Sequence, residues 1–530
     1  MVVRTGKQVG LNISRRLAFA LWVCAWNLLN ASSSQAQQES DYYPIRSLFV
    51  QKATADSRAT NWKPGGEGPA LEVSGLAIME GNRLGIAIRK GEIWIADHVD
   101  QGPEAMTLRR FASGLHEPLG LLWHEGALWV AQRSELTRIA DRDGNGIADE
   151  YRCVGSGWGL TGHYHEYAYG PKLDGRGNMW VTLNIGLGLK GDQLQRTLLE
   201  PHLNFRQAKW RGWGLIVDRD GSLVPMCAGM RSPSGIGVNL EGDAFYTDQQ
   251  GNWVPTNALH HLQRGAFYHH PESLASASQP ESPLASVEVL PEGLPYPQAL
   301  DKWPAMRPPA VWFPYKKMGQ STTDIMVDRS QGKFGPFAGQ LFVGEFTQAS
   351  IQRVFLEKVD GEYQGACFPF RRGLASAVLR MEQSSNGKVF VGLTNRGWSS
   401  LGEASYGLQS MEWSGKVPFE IQEVHATSNG FMLQFTQPIL PAIALRQDAY
   451  EVESYTYNYH SEYGSEEILT RRLQIKEVVP TERQDQVRLV VEGLRPHFVH
   501  EIRAAGVKNL RGEPLLHPDA YYTLNRIPKP

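Results

Sequence analysis

A two-strand unit recurs along most of this chain, and no other feature limits its fold so tightly. In each copy an apolar strand runs into a turn of Gly, Asp or Asn, and a second strand of small, aromatic and aliphatic residues follows. The copies are 84–96, 119–131, 169–182, 235–247, 325–328 leading to 339–344, and 378–382 leading to 387–392. A single hairpin of this kind cannot bury both faces, and its edges stay open. Radial stacking of four-stranded blades buries the faces and shelters the edges. Period-two alternation within the strands supports sheet over helix. The expectation is an all-β chain with a six-bladed β-propeller over 71–416. A seventh blade requires strands hidden in the Pro-rich stretch Gln263 to Arg307, which otherwise reads as an extended surface loop.

Composition sets the outer limits. With 530 residues the chain is too long for one ordinary core. The formal charge of −2 offers no basic surplus for nucleic acid. The first segment, 1–36, reads as an export signal. Arg4, Lys7, Arg15 and Arg16 precede the apolar run Leu17 to Leu29, which is short of a membrane span, and Ser34-Gln-Ala36 offers a cleavage site. The expected location is periplasmic or secreted, with no membrane span after signal removal. Residues 37–70 read as an irregular lead-in. Of four cysteines, Cys24 leaves with the signal. Cys153, Cys227 and Cys367 are too few for a disulfide framework and read as small hydrophobes.

From about Val417 the Gly-rich hairpins stop. Strand patterns at 431–438, 450–457, 487–492 and 499–504 suggest a separate antiparallel domain. The run "GFMLQFTQPILPAIAL" resembles bacterial Ig-like modules, and the length of 417–530 suits an Ig-like β-sandwich; the alternative is an extra propeller element folded against the main body. Tyr455, Tyr457, Tyr459 and Tyr463 alternate, which favours packing over a carbohydrate platform.

Two segments carry candidate chemistry. In Gly162-His-Tyr-His-Glu-Tyr-Ala-Tyr-Gly-Pro171, alternation sends His163 and His165 to one side and Glu166 to the other. The pair suits a metal, or a base with its support, and equally a structural role satisfied by backbone carbonyls. Asp141-Arg-Asp-Gly-Asn-Gly-Ile-Ala-Asp149 spaces Asp141, Asp143, Asn145 and Asp149 like a calcium loop. Arg152 at the twelfth position excludes a complete EF-hand. The remaining readings are a dockerin-like Ca2+ turn and a plain solvated turn.

The segments "SGLHEPLGLLWHEGALWV", "HYHEYAYGPKLDGRGNMWVTLN" and "GMRSPSGIGVNLEGDAFYTDQQG" resemble, in order, segments of the glucose/sorbosone dehydrogenases that use pyrroloquinoline quinone (PQQ). The resemblance spans about Tyr43 to Trp413. It is similar as well to the planctomycete group of secreted propellers labelled membrane-bound or PQQ-type dehydrogenases. It implies PQQ and Ca2+ as cofactors, a sugar or alcohol as substrate, and a separate electron acceptor. It implies that His163 or His165 is the base. Arg231 and Ser232 would contact the cofactor, and Lys316, Lys317, Arg371, Arg372 and Arg396 would serve its carboxylates. The carbonyls of Gly251 and Asn252 would hold calcium. The chain departs from the family at Ser232 and Ser234, where amides are expected, and at Leu183-Asn184, where Gly-Asp is expected. Other readings are a non-catalytic propeller that binds a glycan or protein partner, and a lactonase-like hydrolase using channel carboxylates.

Overall fold

The computed structural model describes residues 37–48, 70–186, 208–284 and 292–530. The proposed signal at 1–36 and most of the lead-in lie outside the described residues.

The repeated units are antiparallel hairpins. Leu84 stands opposite Ala96 and Ile86 opposite Trp94. Tyr169 stands opposite Thr182, and Gly235 opposite Thr247. In most blades the repeat marks the first two strands. In the first blade it marks the second and third, because Val73–Met79 is the inner strand there.

Five four-stranded sheets stand alone. Four lie within 73–112, 122–156, 168–228 and 235–313; the fifth joins three strands of 378–411 to Ile45–Ser47. Their first strands, together with Thr322–Val327, neighbour one another in a closed ring. Glycines allow the close approach at the axis. A Cβ on Gly120, at φ 140°, would sit 2.3 Å from the Gly170 carbonyl oxygen, and one on Gly235 would sit 2.0 Å from that of Thr323. The propeller thus has five free-standing blades, and the sector 322–371 belongs to a larger sheet. This corrects the expectation of six, or seven, separate blades.

The physical reason lies at the outer strand Glu362–Arg371. Gly365, Ala366 and Cys367 pair antiparallel with Thr523, Tyr522 and Tyr521. The sheet continues through the C-terminal strands to eleven in all. An open strand edge invites foreign pairing, and this connection covers it. The expected free-standing sandwich over 417–530 is corrected with it. Phe431, Leu433, Val487, Leu489 and Ile502 share one core with Ala366 and Phe368, so the C-terminal module uses a propeller strand as part of its wall.

The stretch 263–307 supplies no blade among its described residues. It forms a 3-10 helix at Pro271–Ser276 and an α-helix at Tyr296–Lys302. Leu294–Pro295 pairs with Asn458–Tyr459 of the C-terminal module. The lead-in is more ordered than expected. Glu39–Tyr42 is helical, and Ile45–Ser47 pairs with Tyr406–Met411 as the fourth strand of the last blade. The buried Tyr43 ring lies 4.5 Å from that of Phe370. Cys153, Cys227 and Cys367 are free thiols, the last two buried. No helix of the described residues is long and apolar enough to cross a membrane.

Candidate functional site

The connections between strands at one end of the ring enclose a cleft of about 610 Å³. His165, Tyr169, Asn184, Arg231, Gln249 and Ser232 contribute to its lining. None of the described residues lining it is an aspartate or glutamate. The carboxylates lie one layer behind, where they shape the lining loops.

His165 stands on the loop between the second and third blades. Glu166 sits under that loop, fully buried. Its carboxylate accepts from the Thr161 amide at 2.8 Å, the Thr161 hydroxyl at 2.6 Å and the His163 amide at 3.3 Å. Arg133 donates to the Tyr164 carbonyl at 2.8 Å, and Arg211 to those of Tyr167 at 2.9 Å and Gly159 at 2.8 Å. A loop that would otherwise be mobile is fixed at several carbonyls and amides.

The two histidines differ within it. Nδ1 of His163 accepts the His165 amide at 3.3 Å, which ties that ring to its own backbone. The His165 ring lines the cleft, with its centroid 5.4 Å from that of His163. Burial lowers the His165 pKa below its ordinary value, and His163, Arg231 and Arg133 lower it further. The ring is therefore neutral at pH 7 and able to accept a proton.

Arg231 reaches the cleft from the loop before Gly235–Val238. Its amide donates to Asp248 Oδ2 at 2.8 Å, and the Ser232 amide to Oδ1 at 2.7 Å. Burial pushes the Asp248 carboxyl up to about 6, against the pull of these amides and of the Arg231 charge. The guanidinium itself is weakly engaged. Nη1 makes long contacts to Ser232 Oγ at 3.4 Å and the Gln250 carbonyl at 3.5 Å, and the buried Nε has no partner. Oδ1 of the buried Asn184 is unpartnered too.

Glu345 repeats the Asp248 arrangement. It ends the second strand of its sheet as Asp248 does, and accepts the amides of Gln320 at 2.7 Å and of Ser321. Burial pushes its carboxyl up to about 7, opposed by those amides and that of Gln348. Both Gln320 and Ser321 line the cleft. Sequence reasoning passed over Glu345, although a signal existed. The repeats "AFYTD" and "LFVGE" end on a carboxylate at the same place.

None of the other basic residues assigned by resemblance lines the cleft. Lys317 Nζ is 2.9 Å from Glu467 and 2.8 Å from Glu501, both in the C-terminal module. Arg371 donates to the Tyr43 carbonyl at 2.8 Å and lies 3.5 Å from Glu39, which also accepts the Arg372 amide at 2.6 Å. Arg396 lies 3.9 Å from Glu72 in a separate pocket with Arg89. Lys316 is exposed, with Nζ 5.3 Å from the Tyr315 ring. Partner carboxylates from the terminal segments, invisible in local sequence, draw Lys317 and Arg371 away from the cleft.

Apart from the Asn252 carbonyl, the expected metal ligands accept hydrogen bonds from nearby amides. The Gly251 carbonyl takes the Val254 and Gly464 amides, each at 3.1 Å. Asn252 lines the cleft, and its side chain donates to the Ser461 carbonyl at 2.7 Å. In the loop 141–149, Asp141 accepts the Gly144 and Gly146 amides at 2.8 Å. Asp143 accepts the Asn145 amide at 3.1 Å, and Asp149 that of Arg142 at 2.8 Å. Asn145 Oδ1 accepts the Ile147 amide at 2.8 Å. Among the described residues no three His, Cys, Asp or Glu side chains group to hold a metal ion.

Comparison with known proteins finds no matching family model and no matching curated sequence. Solved structures with a similar course include sugar dehydrogenases. An oxidoreductase (glucose dehydrogenase) of Thermus thermophilus is 14% identical, over 70% of this chain and 99% of that one, with a TM-score of 0.47. The PQQ-bound aldose sugar dehydrogenase of Streptomyces coelicolor is 12% identical, over 70% and 98%, with a TM-score of 0.45. The soluble aldose sugar dehydrogenase of Escherichia coli, in its apo form, is 12% identical over 70% and 99%, with a TM-score of 0.44.

Proposed function

We propose that this cleft is the active site of an exported oxidoreductase acting on a hydroxyl of a sugar or other alcohol, with His165 taking the hydroxyl proton. The observation that carries the reading is the convergence of His165 and Arg231, from separate inter-blade loops, on one cleft where Arg231 Nη1 makes only long contacts. PQQ, when bound, supplies an ortho-quinone that accepts a hydride. The residues fit one carboxylated edge of such a group, because Arg231 lines the cleft with a half-buried guanidinium whose Nη1 makes only long contacts. They do not fit calcium at Gly251, whose carbonyl already accepts two amides.

The chain's own residues divide the work. His165, neutral at pH 7, removes the hydroxyl proton. Glu166, Arg133 and Arg211 hold the backbone of the loop that carries it. Asp248 fixes the backbone that presents Arg231 and Ser232. The electron acceptor is a separate molecule in this reading.

The test is reconstitution of the purified protein with PQQ, followed by quinone absorbance and by turnover with a panel of sugars and alcohols. Arg231→Ala should abolish retention of PQQ. His165→Ala should retain it and lose turnover, because only proton removal is lost. Failure of the wild-type protein to bind PQQ sinks the redox reading. A second reading, glycan binding without turnover, then takes its place. It is favoured by Arg231 being the one lysine or arginine among the described cleft-lining residues.

A further inference from the structure

Large aromatic side chains at a protein surface usually pack their faces away, and those that stay open in a cleft mark a contact made with something else. Three line this cleft, from three separate parts of the chain: Tyr315 (37% exposed), Trp398 (46%) and Tyr463 (64%). Each is held by its surroundings. The Trp398 ring packs 4.6 Å from buried Phe346, and its Nε1 lies 3.3 Å from the Thr347 hydroxyl. The Tyr315 hydroxyl accepts from Gln320 Nε2 at 3.3 Å. The Tyr463 ring sits 5.4 Å from the Arg231 guanidinium carbon. The rest of the described lining is largely amides and hydroxyls with His165 and the Arg231 guanidinium and no carboxylate, and the buried Asn184 Oδ1 lacks a donor.

We propose that the cleft binds a carbohydrate chain of at least two linked sugar rings, with Tyr315, Trp398 and Tyr463 as stacking platforms and Tyr463 as the C-terminal module's contribution to specificity. The inference deepens the reading of the cleft as a sugar site, and it does not depend on a quinone being present. Three arguments lead to it. Sugars present apolar C–H faces and polar rims, which match exposed aromatic rings beside a hydrogen-bonding lining of amides, hydroxyls and one guanidinium. A single pyranose has two faces and so stacks on at most two of the three rings. The volume of about 610 Å³ lies well inside the range of roughly 300–1,000 Å³ found for drug-sized ligands, larger than one hexose.

Binding is measured on the full chain without added PQQ, by calorimetry and tryptophan fluorescence. The probes are cellohexaose, maltohexaose, xylohexaose and mannohexaose, each against its monosaccharide. At least one hexasaccharide should bind about tenfold or more tightly than its monosaccharide. Tyr463→Ala should weaken that binding severalfold, Tyr463→Phe should preserve it, and both should melt as wild type does. Trp398→Phe should retain binding and lose most of the fluorescence change. The proposal is overturned if no probe binds, if monosaccharide and hexasaccharide bind alike, or if Tyr463→Ala leaves affinity unchanged. It is also overturned if Tyr463→Ala costs PQQ retention rather than sugar affinity. A hexasaccharide that binds while PQQ does not leaves this proposal standing and sinks only the redox reading.

Discussion

Tyr463, in the C-terminal module, covers Arg231 of the propeller at 5.4 Å between ring centroid and guanidinium carbon. The contact joins the one arginine among the described cleft-lining residues to a loop far along the chain. The loop is pinned beside it, since the Gly464 amide donates to Gly251 at 3.1 Å and the Ser465 amide to the Pro255 carbonyl at 2.8 Å. The C-terminal strands therefore help to build the mouth of the cleft as well as the far end of a sheet.

Asp248 holds the base of that arrangement. Its two oxygens accept three amides, including that of Gln249 at 3.0 Å. In Asp248→Asn the amide NH2 must face one of these N–H groups, so a buried donor is orphaned. The expected cost is about 1–3 kcal/mol of stability, read from denaturant unfolding, together with loss of any Arg231-dependent binding. Unchanged stability would show that the 231–232 turn stands without the carboxylate.

Activity should follow the state of His165. Its folded pKa is depressed below the unfolded value of about 6.5. Between the two the unfolded chain binds more protons, so this group adds stability as pH rises through that window. Once the protein turns over, the acid limb of kcat/KM should have its midpoint below about 6.5, with a plateau at pH 7. His165→Gln should remove that limb along with turnover. An acid limb that survives in residual activity would assign proton removal to another group.

Two histidines act in the opposite sense. His517 lies 2.7 Å from Glu420 and 3.0 Å from Glu39, which ties the lead-in helix to the start of the C-terminal module. His425 lies 3.0 Å from Glu357 and 2.8 Å from Glu423. Burial acts against the charged rings, yet the paired carboxylates hold each up to about 9. The stabilisation is complete below the unfolded value of about 6.5 and is lost as pH rises through about 9. For the well-buried His517 it is on the order of 2–3 kcal/mol. The melting temperature should fall between pH 7 and 9.5, and the fall should shrink in His517→Gln. An identical fall in both proteins would remove His517 as its cause.

Much of the propeller is legible in the sequence, because the Gly-turn hairpin carries its own signal. The turn and the alternation stand within 84–96 or 235–247 and need no distant partner. The merger of 362–371 with 519–524 is not legible locally. Nothing in "EYQGACFPFR" marks its outer edge as paired rather than open. Ile45–Ser47 escapes notice because three residues are too few to show a period. In the site, His165 and Arg231 announce themselves by type and motif. Lys317 and Arg371 mislead because their carboxylate partners come from remote segments. Tyr463 is read with its neighbours as packing; Tyr455, Tyr457 and Tyr459 are buried, but the strand pattern ends before Tyr463 turns outward.

The Asp-rich turn at 141–149 should behave as a turn that satisfies itself. Asp141 takes two loop amides, led by that of Gly146, which hold its carboxyl below the ordinary value. Asp143→Ala removes the acceptor for the Asn145 amide. The melting temperature should drop by the same small amount with calcium and with chelator. A larger drop in calcium alone would show that the loop binds the ion.

The propeller should not survive removal of the C-terminal module. Truncation after residue 416 strips Thr523, Tyr522 and Tyr521 from Gly365, Ala366 and Cys367. It removes the Thr523 hydroxyl that accepts the Trp312 amide at 2.8 Å, and the module side chains that pack on Ala366 and Phe368. The strand Glu362–Arg371 becomes an open edge ten residues long with an apolar face. Such an edge pairs with other copies, so the fragment 37–416 should be found in aggregates, whereas 37–530 should be soluble and monodisperse by light scattering. Replacing Ala366 and Phe368 by lysine in the fragment places charge on the uncovered surface, which should recover part of the soluble yield. A fragment that is soluble and melts cooperatively without those changes would mean that 322–371 closes the ring as an independent blade.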